Sequence, residues 1–264
     1  MHLLLIGFFG VLIGSFLNVV ILRLPSGLTL NGRSHCFNCG HNLNWLDLIP
    51  IFSYLSLKGK CRYCHANISP RYAYIEIITG ILYALIVGVM SPQGGYEWLE
   101  TARVLLVSSV LVAIFVIDLE HYIILDSLTF FLSAVILLLN ICLDMLAGTS
   151  LFSLASHTGS GVLGAIVAFL PFFSIWFFSK GKWMGFGDVK FMLPFGAVLG
   201  WPLVVLGMFS AFFMGAIVSV YLLVAGGKGL KSQIPFGTFL SVACVLALLW
   251  GHKLWAAYLS LIGF

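Results

Sequence analysis

The sequence predicts an all-α polytopic membrane protein, with about eight transmembrane helices and a small zinc-stapled cytoplasmic domain between helices 1 and 2. Three observations carry that reading. Of 264 residues, 61% are hydrophobic and 8% charged, against roughly 45–50% and ~25% in soluble chains. The apolar residues form continuous runs of membrane-spanning length, not the alternation of a transmembrane β-barrel. The one long polar stretch carries two Cys-x-x-Cys pairs. Nine acids and thirteen bases cannot give a globule of this size a charged coat, and the mean hydropathy is +1.10. A soluble domain and a disordered chain are thereby excluded. A net charge of +4 is too small a footprint for nucleic acid, so the expected surroundings are a lipid bilayer and no nucleic-acid partner.

The first apolar run covers 3–22. It has no basic segment ahead of it and no small-residue cleavage site, and Arg23 follows it, so it reads as a retained span rather than a signal peptide. Further runs cover 73–91, 102–118, 127–147, 158–179, 189–201, 203–226 and 235–262. The sixth of the eight is short and contains Pro194; the last is long and interrupted by His252 and Lys253, which leaves room for a hidden span. The bases between runs alternate. Arg23, Arg33, Lys58, Lys60, Arg62 and Arg71 follow run one, Lys180, Lys182 and Lys190 follow run five, and Lys228 and Lys231 follow run seven. Arg103 is the exception. The positive-inside rule then puts the odd-numbered connections in the cytoplasm and both termini outside it.

Residues 23–72 are the only stretch between runs long enough for a domain, which divides the chain into 1–22, 23–72 and 73–264. Cys36 and Cys39 are separated from Cys61 and Cys64 by 21 residues. Two such knuckles suit a tetrahedral four-thiolate zinc site, and a reducing cytoplasm disfavours disulfides. A domain this small lacks the core to fold alone, so a structural metal has a physical purpose. Incidental cysteines or a redox pair are the alternative. His35, His41 and His65 flank the knuckles and are expected beside the metal or in solvent, although one could replace a cysteine. Cys142 and Cys244 fall in apolar runs and read as packing residues.

The nine acids can be taken singly. Glu97 and Glu100 read as solvated loop residues, Asp144 as an interface marker, and Asp47 as part of the cysteine domain. Glu76 lies just inside the second run, where an ionisable group is either functional or paired with Arg71 or Lys60. Asp118, Glu120 and Asp126 lie in VIDLEHYIILD, and Asp188 lies in GFGDVK. By the topology above, Asp118 and Asp188 lie 70 residues apart in sequence but at one membrane depth. Two facing carboxylates can hold a water: the ionised one draws a proton from it while the protonated one polarises a peptide carbonyl. Each acid also has a plainer reading. Asp188 and Asp126 can cap helices, Gly185 and Gly187 can form a flexible turn, and Ser15 and Asn18 can serve helix packing.

Taken together, GSFLNVVILRLP at 14–25, the two Cys pairs, NWLDLIPIFSYLSLKGKCRYCHANISPRYAYIEIITG at 44–80, IDLEHYIILD and GFGDVKFMLPFGAVLGW resemble the type IV prepilin peptidase family in its long bifunctional form. The order and spacing match along nearly the whole chain. The resemblance implies an inner-membrane aspartic endopeptidase that removes the basic leader of prepilins or pseudopilins after a glycine. It also implies methylation of the new N-terminal residue with S-adenosylmethionine. Matched residue by residue, the catalytic pair falls on Asp118 and Asp188, with Gly185, Gly187 and Lys190 as supporting motif residues, and the family's cysteines fall on Cys36, Cys39, Cys61 and Cys64. One position departs: the usual Pro-Asp ending of the first motif reads Leu125-Asp126, which relaxes the turn into the fourth run.

Under this resemblance the scissile bond lies at the cytoplasmic interface, Glu120 and Asp126 attract the leader's lysines, and the cysteine domain with Glu76 contributes to the cofactor site. No nucleotide-binding loop is legible in 23–72, so the methyltransferase expectation rests on the resemblance alone. The alternative from another class is a multispan transporter or channel with a zinc-stapled regulatory domain, but the acids cluster at one interface and no internal repeat is evident.

Overall fold

The computed structural model describes residues 2–225 and 234–261. The described residues form α-helices, one 3₁₀ turn and two isolated antiparallel bridges, as the continuous apolar runs predict. The chain divides into two compact units, Met1–Ser91 and Pro92–Phe264. Large apolar side chains such as Phe8, Phe131, Phe178 and Phe213 are exposed on the helices, as a lipid solvent allows.

In the first unit, α1 (His2–Arg23) packs along α3 (Arg71–Met90). Glycines set the spacing: a Cβ on Gly10 would stand 2.8 Å from the Tyr83 side chain, and one on Gly14 2.7 Å from the Glu76 Cα. This is the close backbone approach that small residues give membrane helices. Between α1 and α3 lie the 3₁₀ turn Trp45–Leu48, the short α2 (Phe52–Ser56) and the four cysteines.

The second unit holds α4 (Gly95–His121), α5 (Asp126–Ala147), α6 (His157–Ser179), α7 (Phe186–Leu199), α8 (Leu203–Val224) and α9 (Phe236–Leu261). Among the described residues seven helices are long and apolar enough to cross a membrane, and α7 is not one of them. Its 14 residues rise about 21 Å, short of the ~30 Å hydrocarbon. Its contacts nonetheless run between two levels of the bundle. At one end Lys190 pairs with Asp126, and Phe186 stacks at 4.6 Å on Trp176. At the other, Asn140 Nδ2 donates to the Ala197 carbonyl at 3.2 Å and Ser160 Oγ to that of Trp201 at 3.0 Å. The predicted eighth run is one continuous helix, α9, with no hidden span.

Several expectations change. Glu97 and Glu100 belong to the first turns of α4, not to a loop. Glu97 accepts from the Gly94 N–H and Glu100 pairs with His157 at 3.0 Å. Asp144 is no interface marker but an N-terminal anchor for α6, accepting the N–H groups of His157 at 2.8 Å and Thr158 at 2.7 Å. Arg103 breaks the charge alternation because it is no loop base: it lies inside α4 and donates to Asn140 Oδ1 at 2.9 Å. Cys142 is exposed rather than packed, whereas Cys244 is fully buried.

Candidate active site and metal centre

Asp118 lies in the last turn of α4, which Tyr122 closes in a left-handed conformation with its N–H on the Asp118 carbonyl. The side chain is 4% exposed. Its Oδ2 accepts the Thr238 N–H at 3.0 Å and also meets that of Gly237. These donors belong to the first turn of α9, whose N–H groups have no partner within the helix and favour an anion. Gly237 makes the approach possible: a Cβ there would stand 2.9 Å from Asp118 Oδ2. Neither Gly237 nor Thr238 is marked in the sequence reading; the only signal was a Pro-Phe-Gly-Thr start to an apolar helix.

Asp188 is the third residue of α7, after Gly185 at the N-cap, and is half-buried. Ile124 connects the two surroundings. A Cβ on Gly187 would stand 3.3 Å from Ile124 Cβ, and one on Gly237 2.8 Å from Ile124 Cδ1. The glycines beside both acids thus close on a single side chain from the α4–α5 turn. Leu125 in that turn has φ −75°, a value that a proline would also take. Neither Asp126 nor Asp188 caps its helix: Leu125 and Gly185 hold the cap positions. The Asp126 carboxylate instead receives Lys190 Nζ, which also lies 5.1 Å over the Phe186 ring. Glu120 is exposed at the end of α4.

In the first unit the sulfurs of Cys36, Cys39, Cys61 and Cys64 all lie within 4.8 Å of one another, and those of Cys36 and Cys64 are 3.8 Å apart. Sulfurs at the corners of a tetrahedron with 2.3 Å metal bonds are about 3.8 Å apart, so the set can hold a metal ion. Among the described residues it is the only group of ligand side chains with this closeness. The two knuckles repeat each other. Cys36 N–H meets the His41 carbonyl and Gly40 N–H that of Cys36; Cys61 N–H meets the Ala66 carbonyl and His65 N–H that of Cys61. Bridges His35–Asn42 and Lys60–Asn67 close both. Gly40 takes the left-handed position of the first knuckle at φ 70°, and His65 takes it in the second at φ 58°.

Backbone donors prepare two of the thiols for ligation. The Cys39 and Asn38 N–H groups lower Cys36, and the Ala66 N–H with the Asn38 amide brings Cys64 to about 6. His41 lies against the Tyr63 ring at 3.6 Å and is no ligand. Asp47 ties the second knuckle to the 3₁₀ turn, accepting Arg62 Nε at 2.6 Å, Tyr63 OH at 3.2 Å and the Asn44 N–H at 3.1 Å. Burial opposes its charge, but the Arg62 guanidinium and Asn44 N–H hold its carboxyl below the usual range.

Glu76, on α3, is 7% exposed and is neighboured by Ser15. Its Oε2 accepts the Ile51 N–H at 2.7 Å. Ile51 has φ 62°, a conformation a β-branched residue rarely adopts, so the carboxylate secures a strained backbone turn. One turn away Asn18 Nδ2 donates to the Tyr72 carbonyl, while Asn18 Oδ1 is buried without a partner among the described residues.

Both units match known families. Residues 8–90 match the bacterial peptidase A24 N-terminal domain, and residues 105–220 match the type IV leader peptidase family. The chain is 34% identical to a prepilin leader peptidase/N-methyltransferase of Aeromonas salmonicida, over 98% of its own length and 94% of the relative's. It is 32% identical to the protein of that name from Pseudomonas aeruginosa, over 97% and 92%. A Xanthomonas campestris protein of the same name is also 32% identical, over 96% and 93%. No solved structure is significantly similar to the chain. An identity of a third across nearly the whole length, over both domains in their order, shows that this chain belongs to the type IV leader peptidase family.

Proposed function

We propose that this chain is a membrane-embedded aspartic endopeptidase that removes the basic leader of prepilins or pseudopilins after a glycine. We further propose that it N-methylates the new N-terminal residue with S-adenosylmethionine. The observation that carries the peptidase reading is that Gly237, against Asp118 Oδ2, and Gly187, next to Asp188, both close on the one side chain of Ile124, which brings the two acids to one end of the second unit. Two neighbouring carboxylates share one proton. The ionised partner takes a proton from a water as it attacks the scissile carbonyl. The protonated partner donates to that carbonyl oxygen and the amine leaves protonated. Family membership leaves no observation in favour of the transporter reading.

The chemistry runs at the cytoplasmic face of the inner membrane, with both termini on the other side. Lys180 and Lys182 lie in the α6–α7 connection, at the same end as Asp188, which supports that orientation. Glu120 and Asp126, both exposed, attract the basic leader, Asp126 by exchanging its Lys190 partner for a leader lysine. Zinc is the metal that four closely set thiolates fit, and it would be structural, since they leave no open position. Residues 23–72 form the methyltransferase part. Glu76 and the unpartnered Asn18 Oδ1 are buried acceptors that suit the ammonium and hydroxyl groups of S-adenosylmethionine, which supplies the methyl group.

The test is incubation of the full-length protein with a prepilin. Asp118→Asn and Asp188→Asn are each expected to abolish leader removal with expression preserved; normal trimming by either would end the proposal. In the same assay, reversing the leader's charge is expected to slow cleavage, and an unchanged rate removes the role of Glu120 and Asp126.

A further inference from the structure

A groove of about 490 Å³ opens between α4, α8 and α9 beside Asp118. It is lined by Phe115, Leu119 and Tyr122 of α4, Ile217 and Val218 of α8, and Val242 of α9, among others, and no lining residue is charged. Phe115 and Leu119 stand at i and i+4 on α4, and Tyr122, the residue that closes the helix, adjoins them at the Asp118 end. Thr238 belongs to both places: it lines the groove, and its N–H holds Asp118 Oδ2. The α8–α9 seam beneath depends on Gly215, where a Cβ would press on the Phe239 ring at 3.4 Å. Leu119, Ile217, Val218 and Val242 are exposed there, with the bare faces of Phe213 and Tyr221 alongside on α8.

We infer that this groove is the subsite for the apolar segment of the protein substrate that adjoins the cleaved bond. The inference rests on the peptidase reading above. Its volume lies in the range of pockets that hold a ligand of a few side chains, not a whole helix. Its wall is carbon, so it selects apolar side chains by burial. It opens on the apolar exterior, so its occupant arrives from the lipid and not from water. Because Thr238 connects it to Asp118, a chain seated in it presents its next peptide bond to the carboxylates.

The test uses the full-length protein in detergent and a peptide with a basic leader, a glycine and an apolar segment of about 20 residues, carrying benzoylphenylalanine at its first apolar position. Wild type is expected to cleave the peptide, and the Asp118→Asn protein is expected to be photolabelled within 115–122, 214–222 or 234–242. Val218→Trp and Val242→Trp fill the groove and are expected to raise KM about tenfold with kcat nearly unchanged. Cleavage with labelling elsewhere, or an unchanged KM in both variants, overturns the groove and leaves the peptidase reading intact. Labelling of the groove by a phosphatidylcholine with a photoreactive acyl chain that the peptide does not displace makes it a lipid site and overturns the inference. No cleavage of the peptide by wild type removes the peptidase reading and the inference with it.

Discussion

A single missing side chain lets the first turn of α9 reach the Asp118 carboxylate. The α9 N–H groups reach its carboxylate only because residue 237 is glycine. Gly237→Ala is therefore expected to shift the carboxylate and reduce kcat for leader removal about 10²-fold. Thr238→Ala keeps the N–H donor and is expected to stay near wild type. Equal loss in both variants would show that the hydrogen bond is not what positions the acid. Asp118 and Asp188 stand out in the sequence as candidates because ionisable residues are rare in apolar runs, and the family resemblance singles them out as a pair. Gly237 does not, because its partner is a residue some 120 positions away. Asp126 misled for a related reason. An Asp before an apolar run reads as a cap, and only the fold reveals that Lys190 claims the carboxylate.

Among the elements, α7 is the one whose placement carries the site, since it delivers Asp188 from its third residue. It is held by backbone approach to α6: a Cβ on Gly161 would stand 2.8 Å from the Ala197 carbonyl, and one on Gly196 would collide with the Gly164 backbone. Gly196→Ala forces these helices apart and is expected to destabilise the fold by about 1–3 kcal/mol, read as a lower thermal midpoint in detergent together with weaker leader removal. An unchanged midpoint would mean that the seam tolerates separation. Hydropathy placed this element correctly but began it at 189, three residues late. The Gly-Phe-Gly-Asp start is polar and flexible by composition, and it becomes helical because Gly185 at the N-cap and the Ile124 contact fix its first turn.

For the molecule as a whole, two compact units carry two sets of chemical groups, the carboxylates in one and the cysteines with Glu76 in the other. The two activities are therefore expected to separate. Removing the metal with a chelator, or Cys36→Ser together with Cys61→Ser, is expected to release about one zinc per chain and to impair methylation while leader removal persists. Glu76→Ala is expected to give the same split with the zinc retained. Metal analysis alongside both assays decides it, and unaffected methylation in either case counts against the methyltransferase assignment.

By itself the sequence determined the helical membrane class, the limits of most apolar helices and the four-cysteine set. Each of these depends on residue type and short-range spacing, because hydropathy sums over adjacent residues and a knuckle closes within a few. Only the tertiary structure decided that α9 donates to Asp118, that Asp144 anchors α6, that Glu76 holds Ile51, and that an apolar groove adjoins Asp118. Those are meetings between segments far apart in the chain, and burial of polar atoms against distant backbone is specified by packing rather than by any local pattern.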